Sequence, residues 1–266
     1  MKLQNILRAL RQADIDFDMI EPGDKLAVAL SGGKDSMLLF LALSVYQRFS
    51  ENNFSLCAIH VDMGFEQKEN ELMKQFADQH NLELHIVPSQ IFEILNLEQN
   101  KKNGRIQCSL CSVLKKGTLL DTAKELGCNK VVFGHHGDDA LETLLMNMIH
   151  GGRISTFAPV QYMSRMNMCI IRPLIYLKEE EIIKACEQNN IPHVKPVCPN
   201  DGHSERQNMK ELLDKFYTLY PDAHDNFMTA LVNRPADQLW KPNPSKTTPA
   251  GRMNSRIIQH DERPKK

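Results

Sequence analysis

No stretch of this chain approaches the roughly 20 consecutive apolar residues that cross a bilayer, so no transmembrane span is expected. No apolar core follows Met1-Lys2-Leu3-Gln4-Asn5, so no secretory leader is expected either. Together these absences point to the cytoplasm. A basic surplus is also missing. The formal net charge is -1, which supplies no global field for a nucleic acid. Seven cysteines are an odd number in a chain too large to need stapling, so a disulfide framework is excluded. Internal repeats are absent. What remains is an ordinary globular composition, 42% hydrophobic and 24% charged over 266 residues. That length suits one α/β domain with an additional lobe or tail.

Apolar periodicity predicts alternating elements. Residues 3–20 read as an amphipathic helix, with Leu3, Ile6, Leu7, Leu10 and Ile15 at helical spacing. Strands are expected at 26–30, 54–61, 84–87, 131–134 and 170–174. Helices are expected at 37–41 onward, 70–80, 112–126, 140–150, 178–189 and 205–220, with one more within 221–239. Segment 88–107 reads as irregular apart from 91–97. Strands alternating with helices imply a parallel sheet covered on both faces, with ligands beyond the carboxyl ends of the strands. From Lys241, prolines and scattered basic residues without apolar periodicity predict a flexible basic tail over 241–266. The expected division is an N-terminal helix (1–23), a central domain (24–240) and that tail.

The most specific segment is Ser31-Gly32-Gly33-Lys34-Asp35-Ser36, between an apolar strand and an apolar helix. Glycines let backbone N–H groups approach an anion, and a helix N-terminus adds its dipole. Two hydroxyls and the Lys34 cation complete a loop suited to phosphates. The spacing is not that of a Walker P-loop. Asp62 and the run Gly134-His135-His136-Gly137-Asp138-Asp139 also follow predicted strands, so all three should meet on one sheet edge. Paired aspartates beside a polyphosphate suggest magnesium binding or acid/base work, against capping plus a solvated charge.

Cys108-Ser109-Leu110-Cys111 brings two thiols together just before a predicted helix, near Lys101, Lys102, Arg105, Lys115 and Lys116. A zinc site, a redox dithiol, an iron–sulfur cluster completed by Cys198 and a structural pair all fit the spacing. There is no second Cys-x-x-Cys and no His-x-x-x-His. Cys57, Cys128, Cys169 and Cys186 lie in or beside apolar segments and read as packed thiols.

The six-residue loop resembles that of the PP-loop, or N-type, ATP pyrophosphatases. In order along the chain stand that loop, Cys108 to Cys111, Gly134 to Asp139, Gly151-Gly152 and Arg172-Pro173-Leu174. This series, with Asp18-Met19-Ile20-Glu21 before the first strand, resembles the tRNA 2-thiocytidine synthetases (TtcA) over about residues 1–235. The resemblance implies a Rossmann-like, adenine nucleotide alpha hydrolase-like α/β fold with helical additions at both ends. It implies ATP- and magnesium-dependent activation of C2 of a cytidine, position 32 of the anticodon loop, and replacement of its oxygen by sulfur. On this resemblance Ser31, Gly32, Gly33, Lys34, Asp35 and Ser36 bind pyrophosphate and Asp62 lies near the adenosine. Asp138 and Asp139 lie near the base or metal. Cys108, Cys111 and Cys198 hold a [4Fe–4S] cluster. Implied partners are tRNA, a sulfur donor such as a cysteine desulfurase, and a second copy of the chain packed through the N-terminal helix, which otherwise packs on its own domain. One departure is Cys198-Pro199-Asn200-Asp201, where many such enzymes carry a second Cys-x-x-Cys. Rival readings are a PP-loop sulfurtransferase for another base or a small molecule, and a non-catalytic RNA-binding or redox-sensing protein.

Overall fold

The architecture follows from the alternation of short apolar strands with longer helices. A computed structural model describes residues 1–64, 67–97, 108–194 and 205–233. The elements run α1 (Leu3–Phe17), β1 (Lys25–Ala29), α2 (Lys34–Gln47), β2 (Ser55–Asp62), α3 (Gln67–His80), β3 (Leu84–Pro88), α4 (Ile91–Leu97) and α5 (Cys108–Glu125). Then come β4 (Lys130–Val132), α6 (Gly137–Gly151), β5 (Val160–Met163), β6 (Met168–Ile171), α7 (Glu179–Gln188), α8 (Glu205–Leu219) and α9 (Ala223–Val232). The chain divides into two compact units, residues 1–225 and 226–266; of the second, only the end of α9 and Asn233 are described.

The strand order is β3-β2-β1-β4-β6-β5. All neighbours are parallel except the β5–β6 pair, which is an antiparallel edge. The period of two along each strand sends side chains to opposite cores. On β1, Leu26 and Val28 join the larger cluster with α1, α2 and α7, while Ala27 joins Leu119, Leu120 and Ala123 of α5 on the other face. Such doubly covered strands read as unbroken apolar runs, which is why β1 was visible in the sequence.

The amphipathic face of α1 is spent inside its own chain. Ile6, Leu10 and Ala13 are fully buried in the large cluster. Asp14, also buried, accepts from Tyr46 Oη at 2.7 Å and from the Ile20 N–H at 2.8 Å, fixing the turn into β1. The expected packed thiols hold for Cys57, Cys128 and Cys186, which are buried, while Cys169 is partly exposed. None of the described helices is long and apolar enough to cross a membrane.

Candidate functional site

β1 lies between β2 and β4, and the chain leaves it for β2 on one side and reaches β4 on the other. At such a switch point the loops diverge and leave a crevice at the carboxyl ends. Pairing continues one residue past β1, where Leu30 N–H donates to Ile59 at 2.9 Å. The loop Ser31–Gly33 then turns into α2, whose N-cap, Gly33, offers no side-chain cap. The first N–H groups of α2 are therefore not satisfied by a capping side chain, the arrangement that suits an anion.

The loop shapes itself with its own hydroxyls. Ser36 Oγ accepts from Ser31 N–H at 3.1 Å, lies 3.0 Å from Ser31 Oγ and donates to Gly33 O at 3.0 Å. Gly32 adopts φ +80°, and its carbonyl accepts from Val194 N–H at 2.9 Å. Gly134, leaving β4, passes under the opening turn of α2; a Cβ there would stand 3.1 Å from the Asp35 carbonyl carbon and 3.2 Å from Ser36 N.

Lys34 Nζ sits 3.2 Å from Asp35 Oδ2 and 2.9 Å from Glu179 Oε1. Burial opposes its charge, but the two carboxylates outweigh that and raise its pKa. Asp35 Oδ1 is buried without a hydrogen-bond partner among the described residues, and His136 Nε2 is 3.9 Å away.

Asp138 and Asp139 stand in the first turn of α6, as the sequence predicts, and their oxygens are engaged. Asp138 Oδ2 accepts from Glu179 N–H at 2.6 Å and Oδ1 lies 3.1 Å from His224 Nε2. Burial favours the neutral acid there, yet these contacts hold the Asp138 carboxyl below the usual range. Asp139 Oδ2 accepts from His136 N–H at 3.0 Å, closing the α6 capping box, and Oδ1 pairs with Arg206 at 3.0 Å. Beside them, Arg172 Nε donates to His135 Nδ1 at 3.3 Å and its guanidinium lies 4.8 Å from the Phe157 ring centre.

Asp62 ends β2. Its Oδ1 accepts from Gly64 N–H at 2.7 Å and its Oδ2 from Asn70 Nδ2 at 2.6 Å, so it orders the exit from that strand. Cys111 packs against the small buried cluster of Met63, Ile91 and Leu95, beside the same strand end. The cysteine pair was expected just before a helix; instead Cys108 opens α5 and Cys111 closes its first turn. That shift follows from α5 having to carry the chain from the carboxyl edge back to the start of β4. Cys198, Lys101, Lys102 and Arg105 lie outside the described residues. The sheet thus gathers Ser31 to Ser36, Asp62, Cys111, Asp138 and Asp139 on one edge. Glu179, Arg206, Lys210 and His224 join this edge without any motif in the sequence, each being only an acidic or basic residue in an ordinary helix.

A family model described as the PP-loop domain matches residues 3–213. The tRNA-cytidine(32) 2-sulfurtransferase of Citrifermentans bemidjiense is 35% identical over 224 residues, covering 84% of this chain and 87% of that protein. The chain belongs to this PP-loop sulfurtransferase family. The enzyme of the same name from Aliivibrio salmonicida is 34% identical over 234 residues, 87% of this chain and 76% of that protein. Among solved structures, the U34-tRNA thiolase NcsA from Methanococcus maripaludis, with its [4Fe-4S] cluster, aligns with a TM-score of 0.70. It is 23% identical and covers 86% of this chain and 77% of its own, a likeness of fold. Ser31–Ser36 lies within the residues that the PP-loop model matches and stands at the switch point of the sheet.

Proposed function

We propose that this chain is an ATP-dependent tRNA sulfurtransferase acting on C2 of cytidine 32. The observation that carries the reading is its 35% identity, along most of both chains, to an enzyme of that name. The reaction divides into two steps. The C2 oxygen attacks the α-phosphate of ATP and pyrophosphate leaves; sulfur then replaces the oxygen, which departs with AMP.

Each residue has a physical task in the first step. The α2 N-terminus, the Gly32 amide and Lys34 stabilise charge that builds on pyrophosphate. Ser31 and Ser36 keep the loop in shape. Magnesium fits at Asp35, whose buried Oδ1 has no hydrogen-bond partner among the described residues. Asp138 and Asp139 order the side of the crevice where the base would lie, and Asp62 the adenosine side.

A [4Fe–4S] cluster fits the thiol chemistry of Cys108 and Cys111, one helical turn apart, with Cys198 as third ligand. When bound, that group supplies a carrier for reduced sulfur. The residues' own work is to hold the base against the activated phosphate and exclude water. Lys115 and Lys116, following the cysteines, suit the phosphates of a tRNA loop whose base is splayed out. A cysteine desulfurase is a fitting sulfur donor.

The test is nucleoside mass spectrometry of total tRNA from a strain lacking this gene and from the same strain with it restored. The expected result is loss of 2-thiocytidine and its return. Unchanged 2-thiocytidine overturns the reading, and another nucleoside lost in its place identifies a different base.

A further inference from the structure

Glu179 serves two cations at once. One oxygen lies 2.9 Å from Lys34 Nζ in the phosphate loop, and the other pairs with Lys210 on α8. The pair with Lys34 is shielded, with side chains 22% and 21% exposed, so its attraction exceeds that of an open surface pair. Burial opposes ionisation of Glu179, but both lysines outweigh it and lower its pKa. The backbone carrying Glu179 is pinned separately: its N–H donates to Asp138 Oδ2, and the same first turn of α7 is closed by Lys178 N–H to Glu181 Oε2 at 2.9 Å.

We infer that Glu179 is a positioning residue that exchanges partners: it holds Lys34 while the loop carries no phosphate, then yields Lys34 to the nucleotide and keeps Lys210. The inference rests on the nucleotide-binding reading above. A polyphosphate needs the same ammonium hydrogens that Glu179 occupies, and a carboxylate about 3 Å from that ammonium repels it. Lys210 makes the release possible, because Glu179 is not left as an unpaired, half-buried charge when Lys34 turns away. Pinned backbones confine the exchange to side-chain rotation. Glu179 thereby links the occupancy of the loop to α8, the helix that follows the segment containing Cys198.

Two substitutions should act in opposite directions. Glu179→Gln removes the competing charge and keeps the shape, so nucleotide binding should tighten about fivefold. Lys210→Met leaves Glu179 with Lys34 alone, so binding should weaken about fivefold. In the Glu179→Gln background, Lys210→Met should shift affinity less than about twofold, because the carboxylate through which Lys210 acts on Lys34 is gone. Isothermal titration of the full chain with magnesium and α,β-methylene ATP measures all four proteins, and thermal melts check folding. Weaker binding by a folded Glu179→Gln, or a Lys210→Met effect that persists in the double variant, overturns the exchange and leaves the nucleotide reading standing. If Glu179→Gln does not fold, Lys210→Met alone decides: unchanged or tighter binding overturns the exchange. No binding by the unsubstituted chain overturns the nucleotide reading, and the exchange with it.

Discussion

Gly134 passes so close to Asp35 that a Cβ on it would lie 3.1 Å from the Asp35 carbonyl carbon and 3.2 Å from its oxygen. The neighbours are backbone in the first turn of α2, so they cannot rotate aside as a side chain would. Gly134→Ala should therefore displace the phosphate loop. We expect about 1–3 kcal/mol of lost stability and about tenfold weaker ATP binding, read by denaturant titration and calorimetry. Unchanged nucleotide affinity would show that the loop tolerates the shift.

Gly32 carries two constraints that can be separated. Its φ is +80°, and a Cβ would stand 2.8 Å from Val194 Cγ2. Gly32→Ala should lower the melting temperature through both strain and clash. Adding Val194→Ala should recover only part of the loss, because the backbone strain stays. Full recovery in the double variant would assign the whole cost to the clash.

Beneath the sheet's opposite edge, Lys130 Nζ lies 2.7 Å from Asp24 Oδ2, with side chains only 7% and 4% exposed. Burial opposes both charges, but their mutual contact lowers the Asp24 pKa below 3.8 and raises that of Lys130 above 10.5. Lys130→Met should cost about 3–5 kcal/mol by stranding Asp24, with Asp24→Asn in the same chain restoring part of it. The depressed Asp24 contributes stability above its unfolded pKa and loses it as pH falls through the lower folded value. The raised Lys130 contributes below its unfolded pKa and loses it as pH rises through the higher folded one. Urea midpoints should show the cost of Lys130→Met constant between about pH 5 and 9 and shrinking outside that window.

Burial depresses the pKa of His135 to about 4, and its Nδ1 accepts from Arg172 as a neutral ring. From its ordinary value of 6.5 down to about 4, the unfolded chain takes up a proton that the fold refuses. Stability should therefore drop on acidification across that range. His135→Gln, which keeps an acceptor, should remove about 2 kcal/mol of the loss between pH 6.5 and 5. Parallel slopes for the two proteins would rule this out.

Cys111→Ala should eliminate tRNA thiolation and lower bound iron and acid-labile sulfide, while α,β-methylene ATP affinity stays within about twofold. Retained thiolation would remove Cys111 from the sulfur-transfer chemistry.

Long apolar strands and the glycine loop were legible because each advertises itself over several consecutive residues. β5 was not. Val160 to Met163 is only four residues long, with its middle pair exposed at a sheet edge. The acidic run Glu179-Glu180-Glu181 reads as three charges favoured by a helix N-terminus. Only the fold separates them: Glu179 grips Lys34, Glu180 pairs with exposed Lys184, and Glu181 closes the capping box. His224 likewise acquires meaning only when α9 brings it to Asp138. Site residues that act through distant partners leave no local spacing to read.

The order of the sheet also sets a timetable for synthesis. The glycine loop is made early, yet β1 waits for Asn129, 104 residues onward, to accept the Lys25 N–H. The thiol that donates to the Lys34 carbonyl, Cys186, comes 152 residues after it. A nascent chain therefore carries the complete phosphate-loop motif long before it can build the crevice around it. Competence for nucleotide arrives late on the ribosome, when α7 and α8 have emerged to close the site.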